Sequence, residues 1–203
     1  MTSLRTNIEL LVHSERTGRD LPVDQRAQIL DRLAAQAGEF GDLVTELVVL
    51  SRDERELERE PVAIGAVIDR AVHRAASRAG PHDFDIDCAP WSVLGDAGAL
   101  ERTVLNLLDN AIKFSPAHST IAVRSQPGWI TVTDQGPGLP PEHRRSAFER
   151  FWRAPDARGL PGSGLGLAIV ADTVAALGGT VSFVEQPTAT GTTVRIELPT
   201  AHV

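Results

Sequence analysis

The sequence predicts an α+β fold in which one mixed β-sheet is covered by helices on one face, preceded by a hairpin of two helices. Three observations predict it. Residues 24–52 carry apolar side chains at heptad spacing. After the charged run "SRDERELERE" and Pro61 the hydrophobic period changes. Beyond that point strand-like and helix-like segments follow one another without strict alternation, which points to segregated layers rather than to a parallel doubly wound sheet.

Residues 2–16 read as an amphipathic helix with Leu4, Ile8 and Leu11 on one stripe. Gly18 and Pro22 break it, and Asp24 can cap the next helix. The seam of that second helix is Ile29, Leu33, Gln36, Phe40, Leu43, Leu47 and Leu50, with Gly38 and Gly41 weakening it as an isolated helix. Such a seam needs a partner. A second hairpin, giving a dimeric four-helix bundle, is the preferred reading, and packing on the chain's own globular region is the other. The first domain is therefore placed at 1–56 and the second at 61–200. Within the second, 62–79 reads as a helix, 83–88 and 91–95 as strands, and 96–114 as a strongly apolar helix. Strands are expected at 119–125 and 129–134, a helix at 163–177, and strands at 180–185 and 192–198. Between 135 and 162 the chain is rich in Gly, Pro and Arg; so long an irregular stretch in a small domain is often functional, for example as a lid.

Composition narrows the function classes. With 42% apolar and 23% charged residues the chain has the mix of a globular protein. No stretch approaches the roughly 18–20 apolar residues that span a bilayer, and the N-terminus lacks a signal-peptide pattern. Cys88 stands alone, which excludes an internal disulfide and a cysteine-rich zinc site. These features together lead to the expectation of a cytoplasmic protein. A net charge of −7 argues against a nucleic-acid partner. An anionic ligand would need a locally positive place, and residues 139–161 offer one, where Arg144, Arg145, Arg150, Arg153 and Arg158 face only Glu142, Glu149 and Asp156.

Three blocks carry chemistry. In "NLLDNAIK" (106–113), Asn106, Asn110 and Lys113 stand at i, i+4 and i+7, on one face of an otherwise apolar helix. Buried amides cost free energy without partners. The amide oxygen of Asn110 is a hard ligand suited to Mg²⁺, Asn106 could orient a water on that metal, and Lys113 offers a point charge to phosphates. In "TVTDQGPGLP" (131–140), a strand ends at Asp134, and Gly136 and Gly138 allow a sharp turn and close approach. A carboxylate there can accept from an exocyclic amine such as that of adenine, although the pattern alone also suits a plain hairpin turn. In "GSGLGLAIV" (162–170), Gly162, Gly164 and Gly166 lead into a helix whose first N–H groups can hold an anion. The spacing is neither the Rossmann fingerprint nor a P-loop.

In this order the blocks resemble the ATP-binding domain of two-component sensor histidine kinases, within the gyrase, Hsp90, histidine kinase and MutL superfamily. The resemblance spans about 61–199. It rests on "NLLDNAIKF" (106–114), "DQGPG" (134–138), "FERFWR" (148–153), "GSGLGLA" (162–168) and "GTTVRIELP" (191–199). Trp152 stands where the family usually has Tyr. The resemblance implies a Bergerat-type sandwich with a lid at 139–161 and a pocket for ATP and Mg²⁺. The implied nucleotide set is Asn110, Lys113, Asp134, Gly136, Gly138, Arg153, Gly162, Gly164, Leu165, Gly166 and Thr192, with Asn110 on the metal and Asn106 and Lys113 taking part in catalysis. ATP-hydrolysing relatives have a glutamate base at the position of Asn106. An amide cannot deprotonate water, so ATP should be held for transfer.

The helical hairpin resembles the family's dimerisation and phosphoacceptor module without its acceptor histidine, because "MTSLRTNIELL" starts just past the position of that motif. His13 is followed by Ser14 rather than an acid and reads as a surface residue; His73, His82, His118, His143 and His202 read as structural or solvated. The expected function is a histidine kinase component that transfers the γ-phosphoryl in trans to a histidine on another chain, and thence to a response regulator. It would be a fragment or one half of a split kinase, paired through the hairpin as a homo- or heterodimer. Two alternatives share the pocket: a serine kinase of the anti-sigma-factor type, against which the hairpin speaks, and a non-catalytic ATP-binding regulator.

Overall fold

Strict alternation of apolar and polar residues makes a strand bury one face, and two segments show this most clearly. In β4 (Thr120–Gln126) Ile121, Val123 and Ser125 are buried, and in β5 (Trp129–Thr133) Ile130 and Val132 are. The computed structural model describes residues 8, 10, 12–14, 22, 25–30, 33, 60–157, 162–185 and 190–201. The chain divides into two units, Met1–Asp53 with Asp156–Ser163, and Glu54–Pro155 with Gly164–Val203. In the first, residues 12–14 and 25–30 are helical, in line with the expected helices. Of the heptad seam only Ile29 and Leu33 are among the described residues, so the coiled-coil expectation lies largely outside them.

The second unit holds a five-stranded mixed sheet in the order β2-β4-β5-β7-β6, where β2 is Asp83–Cys88, β6 is Thr180–Val184 and β7 is Thr193–Glu197. β2 runs parallel to β4; the other neighbours are antiparallel. Register brings Thr133 opposite Thr193, and their hydroxyls hydrogen-bond at 2.8 Å. One face is covered by α1 (Ile64–Ala76), α2 (Ala97–Phe114) and α4 (Gly166–Ala176), while α3 (Pro141–Arg144) is a single turn in the irregular segment after β5. Ile64, Val67, Ile68 and Ala71 of α1, and Leu100, Val104, Leu107 and Leu108 of α2, join the sheet's buried residues in one core. Asp96 starts α2 as its cap, its Oδ1 accepting from the Ala99 N–H at 2.6 Å. This is the α+β fold expected from the sequence.

Two details differ from the sequence reading. Residues 62 and 63 were assigned to a helix, but Glu60–Ala63 form strand β1, and α1 starts at Ile64. β1 pairs antiparallel with β3 (Ser92–Gly95) in a separate two-stranded sheet, so β3 is no part of the main sheet. Four residues with one buried side chain, Val62, carry too short a pattern to betray a strand, and Pro61 sits where a two-stranded edge tolerates a missing N–H. Among the described residues no helix is long and apolar enough to cross a membrane.

α1 and α2 are also tied at their rim. The Glu101 carboxylate takes Arg70 Nε and Arg74 Nη1, each at 2.8 Å, one on each oxygen. Hydrogen bonds from these two arginines hold its pKa below the ordinary glutamate value. The stabilisation is therefore complete above that ordinary value and is lost as pH falls through the depressed one. Glu101→Gln should cost about 0.5–1 kcal/mol at neutral pH, the upper range for a solvent-screened pair. Melting temperatures should show the gap at pH 7 and its disappearance in strong acid.

Candidate functional site

The site lies where β5 ends and β7 begins, beside the C-terminal half of α2 and the start of α4. Asn106 and Asn110 are one turn apart on α2 and half-buried. Both face Gly166: a Cβ there would lie 3.8 Å from the Asn110 Nδ2 and 3.9 Å from the Asn106 Oδ1. Neither amide has a side-chain hydrogen bond to protein among the described residues. Neither amide is among the buried polar atoms left without a partner, so both keep access to solvent and are open to a ligand. α4 begins beside them, and among the described residues no side chain caps its start.

Lys113, one turn beyond Asn110, has its Nζ 4.9 Å from the Phe114 ring centroid. Burial lowers its pKa, and the charge of Arg153 lowers it further. A partly desolvated lysine beside another positive charge would be relieved by an anion.

Asp134 follows β5 directly and is built into a seam. Its Oδ1 accepts from the N–H of Gly136 at 2.8 Å and from that of Thr192 at 3.1 Å, while its own N–H donates to the Thr192 carbonyl at 2.9 Å. Burial raises its pKa above the ordinary aspartate value, partly offset by the hydrogen bonds from Gly136 and Thr192. Gly136 is required by contact: a Cβ there would sit 2.7 Å from the Phe114 carbonyl oxygen. Gly191, at φ +90°, packs so close that its Cβ would be 2.4 Å from the Asp134 carbonyl oxygen. The seam thus fixes Oδ1 of the carboxylate against two backbone N–H groups.

The structure brings Asn106, Asn110 and Gly166 together, and Asp134 with Gly136 and Thr192. Leu165 is buried at the start of α4, and Gly138 adopts φ +83° in the turn after Asp134. Gly164, at φ +79°, lies against the backbone of Phe151 and Trp152. Gly162 belongs to the first unit and is described only by its own φ of +134°. Arg158, counted among the lid cations, lies outside the described residues. A cavity of about 310 Å³ opens beside the seam, lined by Gly138, Leu139, Arg144, Phe183 and Thr192 among others, and by none of Asn106, Asn110, Lys113 and Asp134.

Sequence reasoning missed the contacts of the lid's own aromatic residues. The His143 ring lies 5.5 Å from that of Trp152, and Phe148 lies 4.9 Å from Phe183 of β6. His143 and Trp152 stand nine positions apart in a largely irregular segment, so no periodicity announces the pair. Among the described residues no group of three or more His, Cys, Asp or Glu side chains could hold a metal ion. A divalent cation at this site would depend on an amide oxygen and on oxygens supplied by a ligand.

Comparisons with known proteins agree with this geometry. Residues 95–202 match the model of the histidine kinase-, DNA gyrase B- and HSP90-like ATPases, just over half of the chain. A signal transduction histidine-protein kinase/phosphatase, MprB of Mycolicibacterium smegmatis, is 47% identical over 186 residues, covering 88% of this chain and 38% of that protein. The chain thus spans well under half the length of the curated relatives it matches. Among solved structures, the mycobacterial sensor histidine kinase MprB superposes with a TM-score of 0.65 at 44% identity, covering 70% of this chain and 98% of that one. The ATP binding domain of PrrB from Mycobacterium tuberculosis gives 0.57 at 29% identity, covering 71% and 99%. A sandwich closed by these three blocks, matched along nearly the full length of a solved relative, settles the family: the chain belongs to the histidine kinase-, DNA gyrase B- and HSP90-like ATPases.

Proposed function

We propose that this chain is the ATP-binding catalytic part of a sensor histidine kinase, and that it transfers the γ-phosphoryl of Mg-ATP in trans to a histidine on a partner chain. The observation that carries the reading is the pair of unpartnered amides, Asn106 and Asn110, facing the uncapped start of α4 one turn from Lys113. That arrangement fits Mg-ATP: a hard oxygen for the cation, free N–H groups and cations for phosphates, and a half-buried carboxylate for the purine. Bound magnesium would neutralise charge between the phosphates. Asn110 would hold that cation and Asn106 would orient water on it. Asp134 would accept from the adenine amino group with the turn at Gly136 and Gly138 beneath it. Lys113 and Arg153 would meet the terminal phosphates, while Gly164, Leu165, Gly166 and Thr192 would shape the walls.

Residues 61–200 would form the ATP-binding domain, and 1–56 a helical hairpin of the dimerisation type. The partners would be a histidine-containing phosphoacceptor and, downstream of it, a response regulator, with the whole operating in the cytoplasm. With an amide at 106 instead of a general base, bound ATP would await an acceptor nucleophile rather than water.

Labelled ATP and Mg²⁺, incubated with this chain and a histidine-bearing acceptor hairpin, test the reading. Acid-labile label on the acceptor histidine is expected. Acid-stable phosphoserine would assign a serine kinase instead, and nucleotide binding with no transfer to any acceptor would leave a regulator. Binding should also depend on acidity. A carboxylate accepts from adenine best when ionised, so affinity should fall as pH drops through the pKa of Asp134. Because that pKa is raised, the loss should begin at a higher pH than an ordinary aspartate allows. Calorimetry across the mildly acidic range would show it, and Asp134→Asn should flatten the profile.

A further inference from the structure

The segment "FERFWR", residues 148–153, is held from one side by backbone. Phe151 sits at φ +63°, a conformation that non-glycine residues rarely adopt. It persists because its N–H donates to the Gly164 carbonyl at 3.1 Å, and Gly164 packs so tightly that a Cβ would lie 2.7 Å from the Trp152 carbonyl oxygen. The Trp152 N–H in turn donates to the Glu149 carbonyl at 3.3 Å. Fixing the backbone leaves the Trp152 ring its two side-chain torsions. From the other side the His143 ring meets it, with centroids 5.5 Å apart and planes tilted by 52°, a favourable aromatic geometry. His143 is itself set by the short turn α3, where its N–H donates to the Pro140 carbonyl at 2.9 Å. Arg153 is the next residue after the clamped tryptophan.

We infer that His143 is a positioning residue: its stack on Trp152 holds Arg153 at the place where the terminal phosphates of a bound nucleotide arrive. Two further facts support this. Lys113 feels the charge of Arg153, so the two cations share one neighbourhood. Both rings are half-buried, so the stack is not a freely rotating surface contact. The alternative, a stack that merely fills space, would weaken every ligand alike or only lower stability. The inference rests on the nucleotide reading above, and the test keeps the two apart.

Calorimetry of the whole chain with adenosine, ADP and ATP in excess Mg²⁺ distinguishes them, with thermal melts confirming that each variant folds. His143→Ala should weaken ATP about three- to tenfold, the effect of one aromatic pair, and leave adenosine within about twofold. His143→Phe, which keeps the stack, should restore ATP affinity. In an Arg153→Gln background, His143→Ala should have no further effect on ATP, because both changes act on one contact. Equal losses for adenosine and ATP, unchanged ATP affinity, or failure of the phenylalanine to rescue would each overturn the positioning role while the nucleotide reading stands. An unmodified protein that binds no ATP would overturn both.

Discussion

Asn110→Ala should abolish Mg-ATP binding without harming the fold. The amide is half-buried on α2, has no side-chain partner among the described residues, and faces Gly166 rather than the core. Alanine is the better helix former, so the melting temperature should hold or rise. A stability gain coupled to loss of binding is the signature expected of a residue kept for function. If Asn110 holds the cation as proposed, removing its amide oxygen should give up several kcal/mol of charge organisation, so affinity should fall at least about 100-fold. Chelating the metal supplies the control. In excess EDTA the unmodified protein and the variant should bind ATP with equal, weak affinity, since the difference resides in the cation. Asn110→Asp, which keeps a hard oxygen, should recover part of the Mg-dependent binding. Asn106→Ala should spare most of the affinity and depress transfer. If Asn110→Ala binds Mg-ATP like the unmodified chain, the metal has been given the wrong ligand.

Much of the fold and of the candidate site was legible because each block breaks a local rule. Asparagine at 106 and 110 and lysine at 113 interrupt an apolar helix face, and a helix face pays for such residues only when they have work. Gly136 and Gly164 punctuate at positions where the structure leaves no room for a Cβ. Alternation in 119–125 and 129–134 needs only period two, and the buried Ile121, Val123, Ile130 and Val132 follow it. What escaped is non-local. Thr192 closes on Asp134 across 58 residues, an approach set by β5–β7 register rather than by either segment alone. Strand β1 is too short to show a period and exists because β3 is there to pair with it. The left-handed Phe151 is a conformation imposed by Gly164, and nothing in "FERFWR" asks for it.

Asp134→Asn should change which purine is bound, and the companion Asp134→Ala should damage the pocket more broadly. The two substitutions separate two duties of one side chain. Oδ1 serves the seam, accepting from the N–H groups of Gly136 and Thr192, and an asparagine oxygen can take over both bonds. Alanine cannot. It strands two N–H donors in a half-buried turn, at a cost of about 1–3 kcal/mol each before water compensates, so its melting temperature should drop while that of the asparagine variant stays close to the original. The second oxygen is the one left for a base. In the proposed role the aspartate would accept there from the adenine amino group; in asparagine that atom becomes an NH₂ that would meet donor with donor. Losing a charge-assisted hydrogen bond and facing a like group should weaken ATP by about 10- to 100-fold. Guanine presents a carbonyl oxygen at the equivalent position, so GTP should bind the asparagine variant no worse than it binds the unmodified chain. The ratio of the two affinities is therefore the decisive quantity, because it is blind to general damage. An asparagine variant that folds well and keeps the original ATP-to-GTP preference would show that the free oxygen of Asp134 does not read the base, and that its place at the end of β5 serves the turn alone.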